Sequence, residues 1–98
     1  MLIGKVVGSV VATQKDEKLE SLKLLVVQVH SHENQPIDQY VVAADAVQAG
    51  LGDMVLYATG SSARQPVLTE NRPCDAVIMA IVDSWDLGQG NVYEKWAS

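Results

Sequence analysis

The residues best suited to chemistry form a short run, Gly-Ser-Ser-Ala-Arg, at positions 60–64. Such a run could bind a phosphate through its backbone N–H groups or hold a nucleophilic serine. A phosphate-binding P-loop needs a second glycine and a lysine, and a nucleophile elbow needs the pattern G-x-S-x-G. This run ends instead in Arg64. It therefore predicts a structural loop in which Ser61 and Ser62 bond to backbone groups and Arg64 pairs with a carboxylate.

The other residues that could do chemistry also favour structural roles. His30 and His32 share one face of a strand end, but a zinc site needs three or four ligands, and the chain has two histidines and one cysteine. Cys74 follows Pro73 and leads into an apolar strand, which indicates a partly buried residue and not a nucleophile. We therefore predict that the protein is not an enzyme and has no catalytic residue, metal site or cofactor.

Length, charge and hydropathy exclude several classes of protein. The 98 residues are enough for one domain, which we place at 1–98. The net charge is −5, and the seven basic residues are scattered singly. A nucleic-acid interface requires clustered Lys and Arg, so we predict no nucleic-acid partner. The lone cysteine, the lack of a visible signal peptide and the absence of a long apolar run predict a cytoplasmic protein with no membrane partner.

Short β-branched runs separated by turn-forming residues predict a small all-β domain. We expect five main strands and a short C-terminal strand, at 2–13, 22–29, 39–44, 53–59, 77–84 and 92–96. Between the third and fourth strands, Asp45 is a good N-cap, Gln48 occupies the capping-box position and Gly50 suits a helix end. One short helical turn is therefore predicted there. This order of elements is that of a small OB-like five-stranded barrel.

The predicted strands carry apolar residues on both faces, although a sheet with one wet face needs them on only one. In the first strand, the even positions from Leu2 to Val10 contain no polar residue, and Ile3 and Val7 occupy odd positions. A barrel has one interior, so the second face must be covered by loops, by the C-terminal strand or by another copy. We predict self-association, because each medium-sized apolar side chain removed from water contributes about 1.5–3 kcal/mol.

Five segments of the sequence form a combined pattern: GKVVGSVVATQK at 4–15, KLLVVQV at 23–29, VAADAVQAGLGD at 42–53, VLYATGSSARQ at 55–65 and DAVIMAIVD at 75–83. In their order and spacing, these segments resemble the EutN/CcmL family of bacterial microcompartment vertex proteins. The pairing of D-x-V-x-A-G-x-G-D with G-S-S-A-R is the most specific part. The resemblance covers well over half of the chain.

The resemblance implies a non-enzymatic shell protein with an OB-like barrel that assembles as a cyclic homopentamer. Such pentamers close the fivefold vertices of a microcompartment shell, in the bacterial cytoplasm, that is otherwise tiled by hexameric shell proteins. Neighbouring barrels in the ring would cover the second apolar face. The resemblance also leads us to expect two loops at subunit contacts or at the central opening, with the residues Asp45, Gly50, Gly52, Asp53, Gly60, Ser61, Ser62 and Arg64.

Two other functions stay open from the sequence. One is an OB-like binding module for a small ligand or single-stranded nucleic acid, against which the acidic charge and scattered basic residues count. The other is an accessory subunit that docks on an unrelated enzyme. Within the resemblance, the glycine-containing tail at 87–98 is more similar to those of catabolic compartments than to those of carboxysomes.

Overall fold

The computed structural model of the protein describes residues 1–11, 23–59 and 76–96, which contain seven β-strands. The strands are β1 Leu2–Val10, β2 Lys23–His30, β3 Pro36–Asp45, β4 Met54–Thr59, β5 Ala76–Ile81, β6 Ser84–Asp86 and β7 Asn91–Glu94. None of the described segments is a helix long and apolar enough to cross a membrane.

Strands β1 to β5 close into a barrel in the order β1-β2-β3-β5-β4, with β4 hydrogen-bonded back to β1. Neighbouring strands are antiparallel except β3 and β5, which run parallel. Strand β5 therefore lies between β3 and β4 in the barrel, although β4 precedes it along the chain. The prediction of an all-β, OB-like five-stranded barrel is confirmed.

The observed strand bounds depart from the predicted ranges at several places, among them β1, which ends at Val10 instead of residue 13. Two further departures change the pairing of the strands. β3 begins at Pro36 instead of residue 39, because its pairing with β2 extends to His30, which lies opposite Pro36. The predicted fifth strand, 77–84, divides into β5 and β6, and β6 pairs with β7 in a separate two-stranded sheet. The predicted C-terminal strand is therefore the second strand of a hairpin outside the barrel.

All five barrel strands contribute side chains to one buried cluster. Its members are Val6, Leu25, Val27, Ala43, Ala49, Val55, Tyr57, Ala76 and Ile78. Small residues accompany large ones in this cluster, as the narrow interior of a small barrel requires. Each medium-sized member contributes about 1.5–3 kcal/mol by leaving water, and Tyr57 is the largest of the fully buried side chains.

A β-bulge at Val7 reverses the facing of β1 halfway along the strand. Val6 stands opposite Val27 in the interior, whereas beyond the bulge it is Ser9 that stands opposite Leu25. Directly opposite residues in an antiparallel pair share a face, so Val10 no longer faces the interior. The regular alternation expected from the sequence, with all even positions of β1 on one face, is wrong beyond Val6, because the extra residue of a bulge shifts the alternation by one.

The interior leaves no room for a side chain at Gly4. A Cβ there would lie 2.6 Å from the carbonyl oxygen of Gln28 and 3.0 Å from Cε1 of Tyr57, and would also collide with Val27. We expect Gly4→Ala to lower the free energy of unfolding by about 1–3 kcal/mol, because overpacking forces the surrounding chain to shift.

Gly8→Ala is the matched control, since a Cβ on Gly8 would meet nothing closer than Cβ of Val26 at 3.9 Å. Because alanine loses less backbone entropy than glycine when it folds, this change is expected to be neutral or slightly stabilising. Urea unfolding of both variants measures the difference. Equal stability of the two variants would contradict the assignment of Gly4 to a filled interior.

The buried phenol of Tyr57 is expected to cost stability. Its hydroxyl has no hydrogen-bond partner among the described residues, and its side chain is fully buried. An unpaired buried hydroxyl costs about 1–3 kcal/mol, so we expect Tyr57→Phe to raise the free energy of unfolding by about 1 kcal/mol. Tyr40→Phe, at an exposed tyrosine, serves as control and is expected to change stability by less than about 0.5 kcal/mol. A destabilised Tyr57→Phe protein would contradict the account.

The same phenol makes stability depend on pH in basic solution. Burial raises the pKa of Tyr57 above its ordinary value, and burial together with Asp53 and Asp83 raises the pKa of Tyr93. The unfolded chain therefore loses these protons first, near pH 10, so the stabilisation is complete below about pH 10 and is lost as the pH rises through the folded-state pKa. Between about pH 9 and pH 11, the thermal unfolding temperature should therefore fall less steeply for Tyr57→Phe than for the unsubstituted protein.

Candidate functional site

Four of the eight residues predicted at subunit contacts or the central opening belong to one described loop, the β3–β4 loop at 45–53. They are Asp45, Gly50, Gly52 and Asp53. The other four, Gly60, Ser61, Ser62 and Arg64, lie outside the described residues, as does Cys74. The structure therefore gives the geometry of one of the two predicted loops.

Asp45 organises the first half of the β3–β4 loop. Its Oδ1 accepts hydrogen bonds from the backbone N–H groups of Val47 at 3.0 Å and Ala49 at 3.1 Å. Lys23 donates from Nζ to the carbonyl oxygen of Ala49 at 3.0 Å, and the same Nζ lies 3.9 Å from Oδ2 of Asp45. The Asp45 side chain is 1% exposed, so its charge is balanced by two N–H dipoles and one ammonium group.

The helical turn predicted in this loop is not formed. Gln48 has a φ of 59°, which lies in the left-handed region and interrupts a right-handed helix. The aspartate still caps backbone N–H groups as the sequence predicted, but it closes a non-helical turn around Val47 and Ala49. Asparagine and aspartate side chains compete with helix formation in this way because they bond to nearby backbone groups.

The second half of the loop is fixed to the barrel by backbone hydrogen bonds. Oδ2 of Asp53 accepts from the N–H of Gly50 at 2.8 Å, and the N–H of Asp53 donates to the carbonyl of Gly50 at 3.0 Å. Gly52, with a φ of 90°, donates to the carbonyl of Val6 at 2.8 Å. This positive φ explains the glycine, since an L side chain rarely adopts it. Leu51 remains at the tip, 78% exposed.

The β6–β7 hairpin is attached to the same region. Lys95 lies 3.9 Å from Oδ1 of Asp53, and its backbone N–H donates to the carbonyl of Asp83 at 2.7 Å. Trp85 stacks on Tyr93 with 5.1 Å between ring centroids and donates from Nε1 to the carbonyl of His32 at 2.8 Å. The hairpin thus bridges the β2–β3 loop and the β3–β4 loop.

The polar side chains around these loops serve structure. His30 shares a 2.9 Å hydrogen bond with Oδ1 of Asn34, and the Ser31 hydroxyl accepts from the backbone N–H groups of Glu33 and Gln35. Within the described ranges, no group of three or more His, Cys, Asp or Glu residues is placed to hold a metal ion. The arrangement can therefore fix loop shape, but it brings no nucleophile, base or ligand set together in this part of the chain.

The outer surface of the barrel retains exposed apolar side chains. They include Val7 at 39%, Tyr40 at 55% and Met79 at 41% exposure. Leu2, at the start of β1 opposite Tyr57, is also 43% exposed. Sequence reasoning placed Val7 on the second apolar face but did not predict that Val7 and Met79 are bulge residues, because a bulge cannot be seen in a regular alternation. Among the described residues, this surface is available for association.

Removal of the Asp45 carboxylate is expected to loosen the β3–β4 loop. We expect Asp45→Ala to lower the free energy of unfolding by about 1–3 kcal/mol, because the N–H groups of Val47 and Ala49 lose their acceptor. Asp38→Ala, at an exposed aspartate of β3, is the control and should change stability by less than about 0.5 kcal/mol. Thermal unfolding at one protein concentration compares the two, and equal effects would contradict the role of Asp45.

Comparison with known proteins identifies the family. Residues 1–83 match the family described as "Ethanolamine utilisation protein EutN/carboxysome". The carboxysome shell vertex protein CcmL of Gloeobacter violaceus is 43% identical over 95 residues, which is 97% of this chain and 95% of that protein. The microcompartment shell vertex protein EutN of Salmonella typhimurium is 37% identical, with 97% of this chain and 96% of that protein covered.

Solved structures give the same result. The structure of Gloeobacter violaceus CcmL superposes with a TM-score of 0.85 at 43% identity and covers 97% of this chain and 98% of that one. The GrpN pentameric microcompartment shell protein from Rhodospirillum rubrum gives 0.75 at 40% identity, with 89% of this chain and 99% of that one covered. The matched family, the barrel and these relatives agree, and the chain belongs to the EutN/CcmL family.

Proposed function

We propose that this chain is a structural shell protein of a bacterial microcompartment, which assembles as a cyclic homopentamer and caps the fivefold vertices of the shell. The observation that carries the proposal is similarity along 97% of the chain to proteins named shell vertex proteins. The pentameric state named for GrpN, at 40% identity, supports the ring. In this role the protein is not an enzyme and works as one domain in the cytoplasm, within the shell.

The surface of the barrel supports association of this kind. Leu2, Val7, Tyr40 and Met79 are each between 39% and 55% exposed on the isolated chain. Side chains of this size contribute about 1.5–3 kcal/mol each when they are fully withdrawn from water. In a ring, each barrel covers apolar side chains of its neighbours, and their removal from water stabilises every contact.

The mechanism in this role is geometric. A flat sheet of hexameric units cannot close into a polyhedron without fivefold positions, and a ring of five barrels supplies each corner. The protomer suits such a position because its β3–β4 loop is held to β1 by the bonds of Gly52 and Asp53 and its hairpin is held by Lys95. Its partners are then copies of itself within the ring and hexameric shell proteins around it, with no nucleic acid involved.

The mass of the purified protein in solution tests the ring. Native mass spectrometry at several concentrations is expected to give about 53 kDa, five times the chain mass of 10.6 kDa, and this species should persist on dilution. A monomer at all concentrations would overturn the pentamer and favour an OB-like binding module. Mixing with a hexameric shell protein then tests the vertex role, since closed particles in electron micrographs should form only when the pentamer is present.

A further inference from the structure

The β6–β7 hairpin lies outside the barrel and contributes nothing to its buried cluster. Its two strands form a sheet of their own, and no buried apolar side chain among the described residues lies at positions 84–96. The family match ends at residue 83, directly before β6. A two-stranded hairpin is at best marginally stable by itself in water. The order of this hairpin therefore depends on the points at which it is attached to the barrel.

The contacts within the hairpin join its own residues. Trp85 stands opposite Tyr93, and the two rings stack with 5.1 Å between their centroids. At the base of the hairpin, the N–H of Lys95 donates to the carbonyl oxygen of Asp83 at 2.7 Å. Neither contact has to break when the hairpin separates from the barrel, so the segment 83–96 can separate as a unit.

Among the described residues, two polar side-chain contacts attach the hairpin to loops of the barrel. Nε1 of Trp85 donates to the carbonyl oxygen of His32 in the β2–β3 loop at 2.8 Å, and Nζ of Lys95 lies 3.9 Å from Oδ1 of Asp53 in the β3–β4 loop. The first contact is exposed, and the Lys95 and Asp53 side chains are 26% and 25% exposed. Because water competes for such groups, both contacts open readily.

The groups that these contacts occupy have other partners when the hairpin leaves the barrel. Oδ2 of Asp53 still accepts from the N–H of Gly50 at 2.8 Å. Nζ of Lys95 lies 5.0 Å from the ring centroid of Trp96, a cation–π contact that moves with the hairpin. His32 is exposed, so water can replace the indole N–H at its carbonyl. Separation therefore leaves no charge or carbonyl without a partner.

The chain is tied to the barrel as far as Val82. The N–H of Val82 donates to the carbonyl oxygen of Met54 at 2.8 Å, at the start of β4. The bond from Lys95 to Asp83, which follows along the chain, is internal to the hairpin. A rotation of the backbone at Asp83 can therefore move the hairpin without breaking the pairing of β4 or β5.

We propose that the β6–β7 hairpin is a latch, which closes on the two loops through Trp85 and Lys95 and opens at Asp83 while strands β1–β5 stay folded. Segments with few buried contacts open locally at a lower free energy than the whole protein unfolds. The open state frees the β2–β3 and β3–β4 loops from the hairpin. This property belongs to the single chain and does not depend on the proposed ring.

Hydrogen–deuterium exchange of the intact protein, read by mass spectrometry of its peptic fragments, tests the latch. The amides of β7 are expected to exchange faster than those of β4, because the detached hairpin has only its own marginal pairing. Trp85→Phe removes the indole N–H and keeps a ring against Tyr93, and Lys95→Met removes the ammonium group and keeps an aliphatic chain. Exchange in the hairpin should rise about two- to tenfold for Trp85→Phe and about two- to fivefold for Lys95→Met, with β1–β5 unchanged.

Trp96→Phe and Lys5→Met are the matched controls, since they make the same chemical changes at exposed positions. Trp96 is 82% exposed. Lys5 is exposed on β1 and forms no ion pair among the described residues. Both controls should change the exchange of the hairpin by less than about twofold.

Three outcomes would overturn the latch. The hairpin of the unsubstituted protein could exchange as slowly as β4, or the hairpin of Trp85→Phe and Lys95→Met could exchange at the unsubstituted rate. Exchange in these variants could also rise in the hairpin and the barrel together, which would show that the hairpin opens only with the whole fold. Native mass spectrometry of the same samples counts the copies separately. A monomer with the expected exchange pattern would overturn the proposed ring and support the latch.

Discussion

The structure depends on how closely β1 approaches the strands beside it. Gly4 lies on β1 opposite Val29 of β2 and Val55 of β4, so this strand closes the barrel by pairing on both sides. A Cβ at Gly4 would meet the ring of Tyr57 at 3.0 Å, and the space that a side chain would need is already taken by that ring. Closure, the burial of Tyr57 and the glycine are therefore parts of one packing arrangement.

A barrel this narrow can bury only a limited number of side chains, and this limit determines the surface. The interior cluster accommodates Ala43, Ala49 and Ala76 beside the larger residues, whereas Val7, Tyr40 and Met79 of the barrel strands remain exposed. The bulge at Val7 contributes to the division, because beyond it Ser9, and not Val10, stands on the interior face of β1 opposite Leu25. An apolar exterior is thus a consequence of the fold, and association with other barrels is the natural way to cover it.

The sequence predicted the elements that depend on composition better than those that depend on three-dimensional context. Runs of β-branched residues located all five barrel strands, since their pattern reflects burial. The alternation of β1 failed beyond Val6, because a bulge leaves no mark in the order of apolar residues. The helical turn predicted in the β3–β4 loop failed for another reason. Asp45 and Gln48 match a capping box, yet Gln48 adopts a positive φ and the Asp45 carboxylate closes a different turn. The family was predicted from the resemblance of five sequence segments and not from physical reasoning about single residues. The roles expected of Asp45, Gly50, Gly52, Asp53, Gly60, Ser61, Ser62 and Arg64 at contacts or an opening remain predictions.

The balance of charge indicates what kind of contact can join identical copies. Each chain carries a net charge of −5, so two copies repel one another at long range, and salt confines this repulsion to about 8 Å under physiological conditions. The polar groups of the described loops are engaged within the chain: Asp45 with Lys23, Asp53 with Lys95, and His30 with Asn34. Outside these pairs, Lys5 is the one basic side chain among the described residues, whereas Glu33, Asp38, Asp83, Asp86 and Glu94 are all acidic. Few pairs of opposite charge can therefore form between copies in this part of the molecule. In the described part of the molecule, the attraction therefore comes from short-range burial of apolar side chains, which acts only when complementary shapes meet. In the proposed role, a shell corner built from such contacts is specific because of its geometry, and a barrel with a fixed outline supplies that geometry.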